Sequence, residues 1–174
     1  MAGKPGVDRP FFPKGYIQPK KMKDYVPWSY AQERLEKARA YWIGTAAPDG
    51  QPYIAPVWGI WLDDKLYFDG SPETRRGRNI EVNPKVVVHL DANENGEDVL
   101  IIQGEAHQIA GPARDLAESL SKAYTEKYAY SNYSPSPDSW NQGGLYVVNP
   151  EVVIAWTSFI KDPTRWKFKT SGFS

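Results

Sequence analysis

Three arginines, Arg75, Arg76 and Arg78, fall within four positions of one another in the segment Ser71–Pro84, SPETRRGRNIEVNP. Arg75 and Arg78 are three apart, so a helix puts them on one face while Arg76 points elsewhere. The planar guanidinium fork bonds two phosphate oxygens at once, which the point charge of a lysine does not. Ser71 and Thr74 add hydroxyls on the N-terminal side of the segment, where unpaired first-turn N–H groups also favour an anion. Asn79 follows the arginines, and Asn83-Pro84 ends the segment because proline disfavours helical geometry in the residue before it. The chemistry is anion binding, a phosphate clamp. The plain alternative is a solvated basic turn.

The elements around this segment must position it. Ser29 with Gln32 fits a capping box, and Ala31, Leu35 and Ala38 form the apolar stripe of a first helix ending near Arg39 or Ala40. Tyr41–Ala46 reads as a strand, Pro48-Asp49-Gly50 as a turn, and Tyr53–Leu62 as a second strand. Asp63-Asp64 is a tight turn into Lys65–Phe68. Pro56 cannot donate to a ladder, which places an edge or bulge within the second strand, and Gly59 removes bulk beside it. Both features suit the approach of a flat ring, and a barrel corner accounts for them equally. Lys85–Leu90 and Val99–Gln108 are further strands separated by an acidic turn. Pro112 opens a helix whose inner face runs through Leu116 and Leu120. Tyr130–Gly143 is a loop, and Leu145–Val148, Val152–Trp156 and Trp166–Phe168 supply the remaining strands. Six or seven short strands joined by turns favour an antiparallel barrel with peripheral helices over a doubly wound parallel sheet.

Composition narrows the function. The 174 residues suffice for one domain. Twenty-one basic and twenty-one acidic residues cancel, which argues against a general nucleic-acid binder. Cysteine is absent, so thiol nucleophiles and disulfides are excluded. His89 and His107 lack ligand-like spacing and read as structural, so no metal site is expected. No run approaches a membrane span, which leads to the expectation of a soluble, cytoplasmic protein with no membrane partner. The first 27 residues carry Lys4, Arg9, Lys14, Lys20, Lys21 and Lys23 against Asp8 and Asp24. They read as a basic extended arm, disordered or laid across a partner subunit, ahead of a single domain over 28–174. The dinucleotide glycine fingerprint and the Walker sequence are both missing.

Four stretches in this order resemble the pyridoxamine-phosphate-oxidase-like split-barrel flavoproteins, in particular their flavin/deazaflavin oxidoreductase branch. They are Trp28–Phe68, Ser71–Leu90, the motif VLIIQGEA at Val99–Ala106, and AWTSFIKDPTRWKF at Ala155–Phe168. The resemblance implies a six-stranded antiparallel split β-barrel of the FMN-binding type. It also implies a homodimer with the cofactor at the subunit interface. The phosphate binder of the family, commonly the lysine of K-x-x-N, aligns with Arg76 before Asn79, and a second basic residue aligns with Arg78. The change from lysine to arginine keeps the charge and alters reach and hydrogen-bond geometry. The family sets the Pro56–Ile60 strand, here Pro56, Val57 and Trp58, beside the ring system. Thr45 lies on a strand that borders the cofactor, or is an ordinary strand residue. Trp58 packs beside the ring or fills the barrel. Trp156, Arg165 and Trp166 form a distal cluster in which Arg165 reaches a ligand of the other subunit or makes a salt bridge across the dimer.

The implied activity is an FMN-dependent oxidoreductase that moves hydride to or from a small organic molecule. The alternatives are a reductase using the deazaflavin coenzyme F-420, to whose acidic tail the basic arm would be attracted, and a non-catalytic flavin carrier. Because the flavin carries out the hydride chemistry, no side chain stands out as a catalytic acid or base.

Overall fold

The computed structural model describes residues 5–16 and 21–168. Lys4 and Lys20 of the basic arm lie outside the described residues. Among the described residues nine strands form one antiparallel sheet, with three α-helices set around it. The strands are β1 (Gly6–Asp8), β2 (Tyr41–Ala46), β3 (Pro52–Val57), β4 (Gly59–Leu62), β5 (Lys65–Asp69), β6 (Lys85–Leu90), β7 (Val99–Ile109), β8 (Leu145–Trp156) and β9 (Thr164–Lys167). The helices are α1 (Trp28–Lys37), α2 (Arg75–Val82) and α3 (Arg114–Lys127). The main path runs β1-β9-β8-β7-β6-β2-β3, while β5 joins β8 and carries β4 on its other side.

The count of nine corrects the expected six or seven for identifiable reasons. Tyr53–Leu62 is not one strand, because the chain leaves the ladder at Trp58 and β3 and β4 pair with different neighbours. The arm supplies β1, which pairs Asp8 with Arg165 and Gly6 with Lys167. This part of the arm therefore lies on its own chain's sheet, where it covers the β9 edge. In the opposite sense, Leu145–Val148 and Val152–Trp156 are a single strand. Pro150 is accommodated by a register shift between Gln103 and Gly104 on β7. A Cβ at Gly104 would collide with the Asn149 carbonyl, so this crossing needs glycine.

β3 pairs with β2 alone among the described residues, which puts Pro56 on an edge strand where its missing N–H is tolerated. The sheet is not closed by hydrogen bonds, since no pairing joins β3 to β4 among the described residues.

Alternation along each strand separates two faces. One encloses the main core, with Tyr41, Ile43, Phe68, Val88, Ile102, Tyr146, Val153 and Trp166. A second core under α3 gathers Ile60, Tyr67, Leu120, Tyr124, Tyr128 and Trp140. α1 starts after Pro27 with no side-chain cap, so the capping box expected at Ser29 does not form. The Asp63-Asp64 turn is as expected, with φ of 51° and 58°. No helix among the described residues is long and apolar enough to cross a membrane.

Candidate functional site

α2 is the short helix expected from the arginine segment. Thr74 is its N-cap, and its Oγ1 accepts from Gly77 N at 3.1 Å while donating to the Ser71 carbonyl at 2.8 Å. A Cβ at Gly77 would run into the Pro72 backbone, so glycine lets the first turn fold tightly against the preceding loop. That turn drives Arg76 inward and leaves Arg75 and Arg78 exposed. Ser71 Oγ accepts from Glu73 N at 3.1 Å. The two hydroxyls therefore shape the loop and cap the helix.

The Arg76 guanidinium lies 5.4 Å above the Phe68 ring. Burial lowers its pKa from the ordinary value, with Tyr53, Tyr146 and Asp69 acting in the opposite direction. No hydrogen bond or ion pair is formed by the side chains of Arg75, Arg76 or Arg78 with the described residues. Arg34, Arg114 and Arg165 contrast with them, each being paired to an aspartate or glutamate. The Asp69 carboxylate acts on Arg76 through space without bonding to it, and a half-buried guanidinium with no hydrogen bond or ion pair gains from an arriving anion. The Arg76 guanidinium lies close against Gly70, where a Cβ would stand 3.0 Å from one of its nitrogens.

Asn79 is 4% exposed, and its Nδ2 donates to the Thr45 Oγ1 at 3.0 Å. The pair ties α2 to β2 directly beneath the arginines. Beside it opens a cleft of about 620 Å³ lined by Gly44, Thr45, Tyr53, Ile54, Val87 and Gln103 among others. A Cβ on Gly44 would come within 2.6 Å of Val87 Cγ1, so glycine deepens this cleft. Tyr53 connects cleft and clamp, with the Arg75 guanidinium 5.4 Å from its ring.

Of the remaining expected site residues, Val57 is buried in the main core and Pro56 is exposed. Trp58 does not fill the main core. It stacks on Tyr128 of the α3 end at 4.8 Å, stays 37% exposed, and meets Tyr133 edge-on at 5.4 Å. The Tyr133 hydroxyl in turn donates to Asp69, whose carboxyl is pushed up by burial.

Trp156, Arg165 and Trp166 do not form one cluster. Trp166 is in the core, against Trp28 at 5.3 Å. Arg165 alternates to the opposite face, where its Nε and Nη2 donate to the two Asp8 carboxylate oxygens at 2.7 and 2.9 Å. Trp156 packs against Phe159 at 5.5 Å. Ten residues of β8 separate Trp156 from Tyr146, which lies at the clamp end, and strand rise makes that about 33 Å. Within one chain the distal residues are thus remote from the arginines. So are Lys21 and Lys23, which line a different cleft with Thr157 and Asp162. No group of three or more metal-binding side chains occurs among the described residues.

Sequence reading did not single out Tyr53, Phe68, Gly70 or Tyr146. Aromatic residues in apolar strands read as core, and only the register brings them beneath α2.

Similar folds occur in several solved structures. An F420 reductase is 24% identical, with a TM-score of 0.55, covering 74% of this chain and 98% of its own. A FAD-binding protein from Mesorhizobium loti is 18% identical, with a TM-score of 0.57, covering 83% of this chain and 96% of its own. HutZ, a heme storage protein from Vibrio cholerae, is 16% identical with a TM-score of 0.57, covering 71% and 89%. None of the curated proteins matches the chain. The family model described as pyridoxamine 5'-phosphate oxidase matches residues 29–157, which takes in both strands flanking the cleft and the whole arginine helix, and the chain belongs to that family.

Proposed function

We propose that the protein is an FMN-dependent oxidoreductase that transfers hydride to or from a small organic substrate. The observation that carries this reading is Arg76, half-buried over Phe68 with no hydrogen bond or ion pair among the described residues. Such a site fits a phosphate, which accepts from the guanidinium fork and offsets its desolvation. When bound, the flavin supplies the redox-active ring that exchanges hydride. The protein's part is to bind and orient. Arg76 holds the phosphate, Arg75 and Arg78 add positive potential, and the Asn79–Thr45 bond fixes α2 against the sheet. Pro56 and Trp58 border the ring on the β3 side. Ser71 and Thr74 act through the loop and cap they build.

The sheet is read as a split barrel that is completed as a homodimer. Its outer face presents Ile54 and Val87, 57% and 39% exposed, in line with Trp42, Ile101, Val152 and Ile154. An apolar face of this kind is suited to a second copy. A partner chain also offers the route by which Trp156, Arg165 or the arm lysines would approach a clamp that their own chain holds far away.

A second reading, a deazaflavin-dependent reductase, is favoured by the number of arginines without acidic partners, which exceeds what one terminal phosphate requires. The absorption spectrum and mass of the ligand retained on native purification decide between the two. FMN is the expected result, and a deazaflavin mass would establish the second reading. A colourless protein with no thermal stabilisation by either cofactor would overturn both. Bound flavin that no nicotinamide or deazaflavin donor reduces would instead indicate a carrier.

A further inference from the structure

Tyr146 is 3% exposed, and its hydroxyl has no hydrogen-bond partner among the described residues. Its ring is fixed by stacking on Phe68, with centroids 5.0 Å apart and planes 7° from parallel. The two residues are also direct partners in the β5–β8 ladder. Phe68 is the ring over which Arg76 lies. Burial raises the Tyr146 pKa, the Arg76 charge opposes that rise and Glu81 adds to it, so the hydroxyl lies within the field of both charged groups without being bonded to either. A buried hydroxyl without a partner is costly and rare in native proteins. Arg76 and Tyr146 flank the same Phe68 ring, one a cation with no bonded partner and the other a donor with no acceptor, which is the relation of two contacts around one anion.

We infer that the Tyr146 hydroxyl is a ligand-binding donor that completes the anion site, giving its hydrogen bond to an oxygen of the phosphate held by Arg76. This rests on the phosphate-clamp reading and extends it to a residue from a different strand. It makes the barrel interior, as well as the helix, part of cofactor recognition. The phenol keeps its proton at neutral pH, so it adds a donor without adding charge.

The test is titration of the full-length apoprotein with FMN and with riboflavin, which lacks the phosphate, for wild type, Tyr146→Phe and Arg76→Ala, with thermal unfolding on the same preparations. Tyr146→Phe keeps the stacked ring and is expected to bind FMN about tenfold more weakly, with riboflavin affinity unchanged. Its apoprotein is expected to unfold at or above the wild-type temperature, since an unbonded buried hydroxyl has been removed. Wild-type FMN affinity in Tyr146→Phe, with the FMN preference lost in Arg76→Ala, overturns the inference and leaves the clamp standing. Retention of the full FMN preference in Arg76→Ala overturns the clamp and the inference with it. An equal loss of both ligands in Tyr146→Phe would mark a packing defect and likewise overturn the inference.

Discussion

Asn79 donates to Thr45 across the junction of α2 and β2, so two side chains expected beside the cofactor are bonded to each other. Both are buried, at 4% and 5% exposure, and the bond fixes the rotation of the helix that carries Arg76. In the proposed phosphate site their part is therefore indirect, through the direction in which the guanidinium points.

Asn79→Ala is expected to destabilise the fold by about 1–3 kcal/mol, because Thr45 Oγ1 loses its donor in a dry environment. Thr45→Ser retains the hydroxyl and is expected to cost much less. Chemical denaturation of both variants measures this. Equal losses would show that the methyl packing of Thr45, and not the hydrogen bond, joins helix to sheet.

A second prediction concerns Lys127. Its Nζ donates to the Tyr41 hydroxyl and the Gly59 carbonyl, each at 3.0 Å, between the rings of Tyr41 and Tyr128. Burial lowers its pKa from 10.5 to about 8, with Glu36 acting weakly in the opposite direction. Because the folded-state value is depressed, the unfolded chain binds more protons between pH 8 and 10.5. The penalty for burying the charged amine is fully present below pH 8 and is relieved as pH rises toward 10.5. Stability of Lys127→Met relative to wild type is thus expected to be greatest below pH 8 and to fall with increasing pH. Urea unfolding at pH 7, 8 and 9.5 measures that slope. A pH-independent difference would mean that the amine titrates near its ordinary value.

Much of this fold is legible in the sequence, and the exceptions share a cause. Lys85–Leu90 alternates cleanly and falls where expected, and Asp63-Asp64 carries enough turn chemistry to fix a hairpin. β8 is misread because Asn149-Pro150 locally signals a break, while the glycine that tolerates the proline lies on another strand, at Gly104. β1 has three residues and no periodicity, and is stabilised by the edge of β9 that it finds. At the site, the type and spacing of the arginines identify the helix. Which arginine turns inward, and the presence of an unbonded tyrosine beneath it, depend on a register that no local pattern encodes. Arg165 shows the same limit, since its ion pair is with Asp8, from the opposite end of the chain.

That ion pair gives the third prediction. Hydrogen bonds from Arg165 and Lys167 hold the Asp8 carboxyl well below the usual carboxylate range. A depressed folded-state pKa means that the contact contributes above the unfolded value near 3.8 and is lost as pH falls through the folded one. Asp8→Asn at pH 7 is expected to speed hydrogen exchange at Arg165 and Lys167 with little change in the global melting temperature, because the groups are solvent-screened. Ligand affinity is expected to remain within about twofold of wild type, an amount well below the 1.4 kcal/mol of a tenfold change. A large gain in FMN affinity would instead show that Asp8 withholds Arg165 from the cofactor.

The last prediction is assembly through the outer sheet face. Ile54 is 57% exposed on edge strand β3 and also lines the cleft next to Tyr53, so one side chain belongs both to the proposed subunit contact and to the proposed cofactor groove. In an isolated chain an exposed Ile54→Asp change would be nearly neutral for stability. In a dimer it buries a charge opposite apolar residues, which costs several kcal/mol and has no partner to offset it. Sedimentation velocity at low micromolar protein concentration is expected to give a dimer for wild type and a monomer for Ile54→Asp. FMN affinity is expected to fall along with the dimer, because a groove built from two chains loses one wall when they separate. The two readouts distinguish the alternatives. A monomeric variant with full affinity would place the cofactor wholly within one chain and leave the apolar face with a role in assembly alone. A wild type that stays monomeric with FMN bound would remove the partner from the site, and with it the only route by which Arg165 or the arm lysines approach the clamp.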